Sequence, residues 1–352
     1  MKPSRRRLSW QYVLIALTAA GLSVSLARGA QPEGSGYHII KKYPIGGEGF
    51  WDYLTMDSAA RRLYISRGTH VIVFDPDAGK VVGDIPNTDG VHGIALAPEL
   101  GRGFTSNGRA STVTIFDLRT LKEIGQVQTT GQNPDAIIYD PASRRVFTFN
   151  GRSGNSTAID AAAGTVAGTI DLGGRPEFAA SDGKGRVYAN LEDKSMVVAI
   201  DSGKLKVESR WPLAPCESPS GMAIDREHRR LFIGCHNQLM AVMDADTGRV
   251  LTTLPIGRGV DANRFDPETQ LAFSSNGDGT LTIVHEDSPD KFTVVDNVPT
   301  QRGARTMALD PKTHNIYLVT AEFGPAPPPM PGQRFQRPTI VPNSFVLLAV
   351  GK

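Results

Sequence analysis

The chain has 352 residues, 38 Lys and Arg against 36 Asp and Glu, and two cysteines. Five of the basic residues (Lys2, Arg5, Arg6, Arg7 and Arg28) fall in the first thirty positions with no acid among them, so the remainder carries 33 basic and 36 acidic residues. A slightly acidic chain without a Lys/Arg run lacks the basic footprint of a nucleic-acid binder, and nucleic acid is not expected as a partner.

The N-terminus places that basic cluster before an apolar run from Tyr12 to about Leu26, followed by small residues at Gly29-Ala30, the layout of an export signal. The run is shorter than the ~20 residues that span a bilayer. Residues 1–30 are therefore read as a signal peptide, and residues 31–352 as one domain that is periplasmic or secreted and has no membrane span once the signal is removed. "SRRRLS" at Ser4–Ser9 also partly resembles a twin-arginine signal, and a general secretory signal fits equally.

Next comes a strand, "YHIIKKYPI" (Tyr37–Ile45), and then a cadence that returns seven times. Each copy runs from a polar residue through a short apolar stretch to a turn, at Asp57, Ala97, Asp140, Asp182, Asp225, Asp266 and Asp310. The period of roughly 40 residues is that of a four-stranded propeller blade. Within the first copy the strands read "YLTM", "RLYIS", "HVIVFD" and "KVVGDI", each bounded by turn residues. Apolar residues at helical spacing are missing, which excludes a helical solenoid. The expected fold is an all-β, seven-bladed β-propeller. Because the last copy ends at "FVLLAV" (Phe345–Val350) without a fourth strand, the N-terminal strand is expected to complete the seventh blade from outside.

Two features interrupt the cadence. A Pro-rich insertion, residues 322–344, separates the second and third strands of the last repeat and reads either as a lid or docking arm or as a long surface loop. Cys216 and Cys235 share one repeat at positions that a propeller brings to one face, where either a disulfide or two buried thiols fit; neither has metal-site CxxC spacing.

The second strands read "YISR" (Tyr64–Arg67), "FTSN" (Phe104–Asn107), "FTFN" (Phe147–Asn150), "YANL", "FIGC", "FSSN" (Phe273–Asn276) and "YLVT". This pattern resembles the YVTN-repeat family of bacterial propellers, the YncE-like proteins, over essentially all of the chain after the signal. The resemblance implies a seven-bladed propeller in an exported protein and is specific for architecture rather than chemistry. Related propellers include lactonases and haem-d1 domains, but this chain has no CxxCH motif. The Asn-Gly pairs at Asn107, Asn150 and Asn276 are expected to supply positive φ at turns.

Five residues before each turn stand Asp52, His92, Asp135, Glu177, Ser220, Asp261 and Arg305. These are equivalent positions at the start of the innermost strands, so the fold is expected to gather them around the channel mouth as a ligand-binding ring. Burying ionisable groups requires compensation by water, metal or opposite charge. Arg305 is expected to neutralise Asp52 and Asp261, leaving His92, Asp135 and Glu177 as a metal-ligand set for Ca, Mg, Mn or Zn. Ser220 lies in "SPSG", which is not a nucleophile elbow.

Three functions fit these residues. The first is an exported binding module taking a small molecule, metal ion or protein segment at the channel mouth, as a monomer. The second is a metal-assisted lactone or ester hydrolase with Asp135 or Glu177 as general base. The third is a protein-interaction platform extended by the Pro-rich arm.

Overall fold

A computed structural model describes Met1 and residues 34–325 and 338–352 of the protein. Most of the expected signal peptide and the centre of the Pro-rich insertion lie outside the described residues.

Among the described residues, twenty-eight strands form seven four-stranded antiparallel sheets. The innermost strands are Leu54–Asp57, Val91–Ala97, Pro134–Asp140, Pro176–Ser181, Pro219–Asp225, Val260–Asp266 and Met307–Asp310. Each touches the innermost strand of the next blade, and the last touches the first, which closes the wheel. Blade seven runs outward as Met307–Asp310, Asn315–Thr320, Val346–Gly351 and finally His38–Pro44, so the N-terminal strand is its outer strand. This pairing covers an edge that would otherwise be open to association. Among the described residues, no helix is long and apolar enough to cross a membrane.

Burial follows strand position. Second strands such as Leu271–Asn276 (LAFSSN) are buried at every residue because neighbouring blades cover both faces. Outer strands such as Lys80–Ile85 carry Lys and Asp towards water and expose Val81 and Val82. In six blades the register between third and fourth strands shifts by one residue at the same place, for example between Ile115 and Phe116, and such bulges increase local twist at an edge.

At the rim where innermost strands end, turn carboxylates latch blade to blade. Asp140 accepts hydrogen bonds from Ser181 and Ser202 of blade four, Arg61 of blade one reaches Asp310 of blade seven at 2.6 Å, and Arg229 of blade five reaches Asp182 of blade four at 2.9 Å.

The Asn-Gly expectation is corrected. None of Asn107, Asn150 and Asn276, nor Gly108, Gly151 and Gly277, has positive φ. The three asparagines are instead buried clamps: the Asn107 amide donates to Thr112 and Thr114 Oγ1 at 3.1 and 2.8 Å, and Asn150 and Asn276 repeat the pattern on the third strands of their own blades. Cys216 and Cys235 form a disulfide between Cα atoms 5.8 Å apart, deciding between the two options for that pair.

Candidate functional site: an acidic channel mouth

The mouth is built by a defect in the innermost strands. Their pairing with the second strands breaks between Val91 and Ile94, Pro134 and Ile137, Pro176 and Ala179, Pro219 and Met222, and Val260 and Ala262. His92, Asp135, Glu177, Ser220 and Asp261 sit inside these gaps. A bulge of this kind frees one residue from the ladder and re-aims its side chain. The backbone groups released this way need partners, and second-strand residues supply them. Ser106 accepts from Gly93 N at 2.9 Å and donates to the Asp135 carbonyl, Ser275 donates to the Arg305 carbonyl, and Asn190 donates to the Ser220 carbonyl at 2.7 Å. The three bonds to carbonyls cross from one blade to a ring residue of the next. Ser66 serves Asp52 within its own blade, accepting from its N–H at 2.8 Å. These positioning residues occupy the third place of the second-strand motif, which sequence reading left without a role.

Side chains of the ring divide into two linked groups. His92 Nδ1 lies 2.6 Å from Asp52 Oδ2 and 3.6 Å from Asp135 Oδ1. Arg305 Nε lies 3.1 Å from Asp261 Oδ2, and Ser220 donates to Asp261 Oδ1 at 3.1 Å. Arg305 was expected to serve Asp52 as well; instead the partner of Asp52 is His92, whose ring projects between the carboxylates of both neighbouring blades. For the same reason the three groups whose ligand atoms fall within 4.8 Å of one another are Asp52, His92 and Asp135, with Glu177 outside that set. Gly108 makes the arrangement possible: a Cβ there would stand 2.7 Å from His92 Cδ2 and Nε2.

Four carboxylates thus share one imidazole and one guanidinium. Burial opposes the charge on His92, but the Asp52 hydrogen bond and the charges of Asp135, Asp52 and Asp261 prevail and push it up to about 9. Burial first, and then Asp52 and Asp261 against the relief from His92, push Asp135 up to about 7. Asp261 rises to about 6 through burial, moderated by Arg305. Burial and the surrounding Asp135, Asp261, Glu192 and Asp52 raise Glu177 well above the usual carboxylate range. Among the described residues Glu177 forms no ion pair and no hydrogen bond, and the Arg305 guanidinium acts on it only from a distance.

The floor of the mouth is aromatic. Tyr53 packs on Phe178 with ring centroids 5.0 Å apart, and the Arg264 guanidinium stands 5.0 Å from the same Phe178 ring. Below them the channel opens into a cavity of about 430 Å³ lined by Ile94, Ile137, Met222 and Phe265. Trp51 packs against Phe345 and Phe323, beside the described ends of the Pro-rich insertion. Phe323 bridges to Ile340 there, and Arg305 lines the small hollow that these residues share with Phe50.

The wheel of seven blades with a lined central channel defines a β-propeller, and comparison with solved structures agrees. RRP9 WD40 repeats superpose with a TM-score of 0.74 at 9% identity, covering 90% of this chain and 97% of that one. U3-55K gives 0.73 at 10% identity, covering 90% and 99%. Hydrazine synthase of Kuenenia stuttgartiensis gives 0.67 at 16% identity, covering 81% and 95%. At these identities the likeness is one of fold alone. No protein-family model matches the chain, and no curated protein does either.

Proposed function

We propose that the chain is an exported propeller of the YVTN type that acts as a binding module, capturing a cationic group at its channel mouth. The observation that carries this reading is the charge imbalance: among the described residues, Asp52, Asp135, Glu177 and Asp261 have only His92 and Arg305 as ion-pair partners, none of these pairs engages Glu177, and Arg305 and His236 add only longer-range attraction. A divalent ion or an ammonium group would restore the lost solvation of these carboxylates. Titrating the mature chain with Mn2+ and with cadaverine tests it. Saturable binding that weakens at least about tenfold in Glu177→Gln or Asp135→Asn is expected, as for loss of a buried charge partner; absence of binding by both probes refutes it. Export is checked by N-terminal sequencing of the chain recovered from the periplasm or medium, where a start near residue 31 is expected.

Convergence of Asp52, His92 and Asp135 favours a second reading, a metal-assisted ester or lactone hydrolase. In it the trio holds the ion and Glu177, with its raised proton affinity, serves as the general base. Turnover of a γ-lactone by the metal-loaded chain, abolished in Glu177→Gln while the ion stays bound, would distinguish it from simple capture.

A further inference from the structure

Among the described residues, a second group of potential ligands lies at the opposite rim, on the seam between blades five and six. Asp225 ends the innermost strand of blade five, His228 follows in its turn, and Glu286 comes from the third strand of blade six, Thr280–Ser288. His228 Nδ1 lies 2.7 Å from Asp225 Oδ2 and 3.1 Å from Glu286 Oε1. Ligand atoms of the three fall within 4.8 Å of one another.

An imidazolium between two carboxylates does not account for this arrangement. Nδ1 carries at most one proton and cannot donate to both oxygens, and here it makes no hydrogen bond with adequate geometry to either. Asp225 is already served by the backbone N–H groups of Glu227 and His228, at 2.9 and 3.1 Å. Glu286 is not: its side chain is 0% exposed, and neither Oε1 nor Oε2 has a hydrogen-bond partner. The neighbouring Arg230 is committed to Asp244 at 2.9 Å and to the Pro289 carbonyl at 2.7 Å. A buried carboxylate left in this state is costly unless a proton or a cation neutralises it.

We propose that Asp225, His228 and Glu286 form a binding site for a first-row divalent ion such as Zn2+, clasping blades five and six. Two ligands about 2.1 Å from a tetrahedral ion are about 3.4 Å apart, so the separations of 2.7 and 3.1 Å at Nδ1 need only open slightly to receive one. Two carboxylates cancel the double positive charge, and the imidazole selects a transition ion over Ca2+ or Mg2+. Neutral His228 ligates through Nδ1 with its proton on Nε2, and its flank, 30% exposed, leaves room for water ligands.

Calorimetric titration of Zn2+ into the chelator-stripped mature chain tests the site, alongside Glu286→Gln, His228→Asn and the mouth variant Asp135→Asn. Asp135→Asn, which weakens the mouth, should bind one Zn2+ that raises its Tm by several degrees, and the wild type should bind that ion in addition to any that the mouth takes. Either seam variant should weaken that binding at least about tenfold, as loss of a ligand exceeds the usual effect of altering an outer partner. His228 is partly exposed, so His228→Asn keeps the test decisive if Glu286→Gln does not fold. Undiminished Zn2+ binding when His228→Asn is added to Asp135→Asn, or no Zn2+ binding to Asp135→Asn itself, overturns the proposal. Loss in Asp135→Asn alone would also overturn it while leaving the mouth reading standing.

Discussion

Replacing Asp52 by Asn probes the electrostatics of the mouth at their strongest contact. His92 is raised from 6.5 to about 9 with Asp52 2.6 Å away; at 1.36 kcal/mol per pKa unit this is about 3 kcal/mol of preference for the imidazolium in the folded state. The folded-state pKa exceeds the unfolded one, so this stabilisation is complete below about pH 6.5 and disappears as pH rises through about 9. Asp135, raised to about 7, and Asp261, raised to about 6, act in the same direction, because the folded state again holds more protons. Stability to urea should therefore fall steadily from pH 5 to pH 10. Asn at position 52 removes the hydrogen-bonded charge while burial still opposes protonation, so His92 should titrate at least one unit lower and the variant should lose about 2 kcal/mol at pH 6 and far less at pH 10. Cε1 chemical shifts of the seven histidines, with His92→Gln for assignment, give the titration directly. A wild-type midpoint near 6.5, or one that Asp52→Asn leaves unchanged, would refute the electrostatic reasoning.

Gly108→Ala puts a methyl group 2.7 Å from the His92 ring, which should cost about 1–3 kcal/mol by overpacking and lower the His92 pKa by displacing it from Asp52; thermal melts and the same titration check both effects. Asp140→Ala removes the acceptor for Ser143, Ser181 and Ser202 and should cost about 3 kcal/mol in urea denaturation, most of it recovered in Asp140→Asn. Cys216 and Cys235 are 19 residues apart, a loop whose release should cost about 3 kcal/mol; an unchanged Tm under reducing conditions with both thiols shown free would contradict this. Removing residues 34–44 exposes the edge of Val346–Gly351, and size-exclusion chromatography should show larger species than the intact chain forms.

The wheel was legible because a propeller writes its architecture as repetition. Asp52, Asp135 and Asp261 mark equivalent points of three blades at a constant five residues from their turns, and the missing fourth strand after Phe345 leaves only the N-terminal strand to pair with Val346–Gly351. Contacts between non-equivalent positions were not legible. The orientation of His92 towards Asp52 depends on a bulge and on space over Gly108, neither of which has a residue signature of its own. Asn-Gly is a strong turn signal in isolation, yet at Asn107 the side chain has threonines opposite it on the next strand, and burial with three good hydrogen bonds outweighs the local preference for positive φ. Asp225, His228 and Glu286 come from two different blades at unrelated repeat positions, so no periodic reading could have joined them.

Comparison of the two rims separates carboxylates that hold the wheel together from those available to a ligand. At the turn rim, Asp140 and Asp310 are buried yet lowered below the usual carboxylate range, because serine, threonine and arginine donors outweigh their desolvation. At the mouth, Asp135, Glu177 and Asp261 are half-buried and raised, first by desolvation and then by one another's charge. The same fold and the same residue type thus give opposite proton affinities according to whether donors were supplied. Glu286 stands at the turn rim but behaves like the mouth, raised to about 7 by burial and by Asp225, with His228 and Arg230 acting against the rise. Strengthening the blade-five to blade-six seam would call for a donor such as the serines around Asp140; an acidic residue there without one adds cost and no latch. Its presence makes sense where a cation supplies the missing positive charge, which is why a seam and not the mouth is the place to look for a second ion.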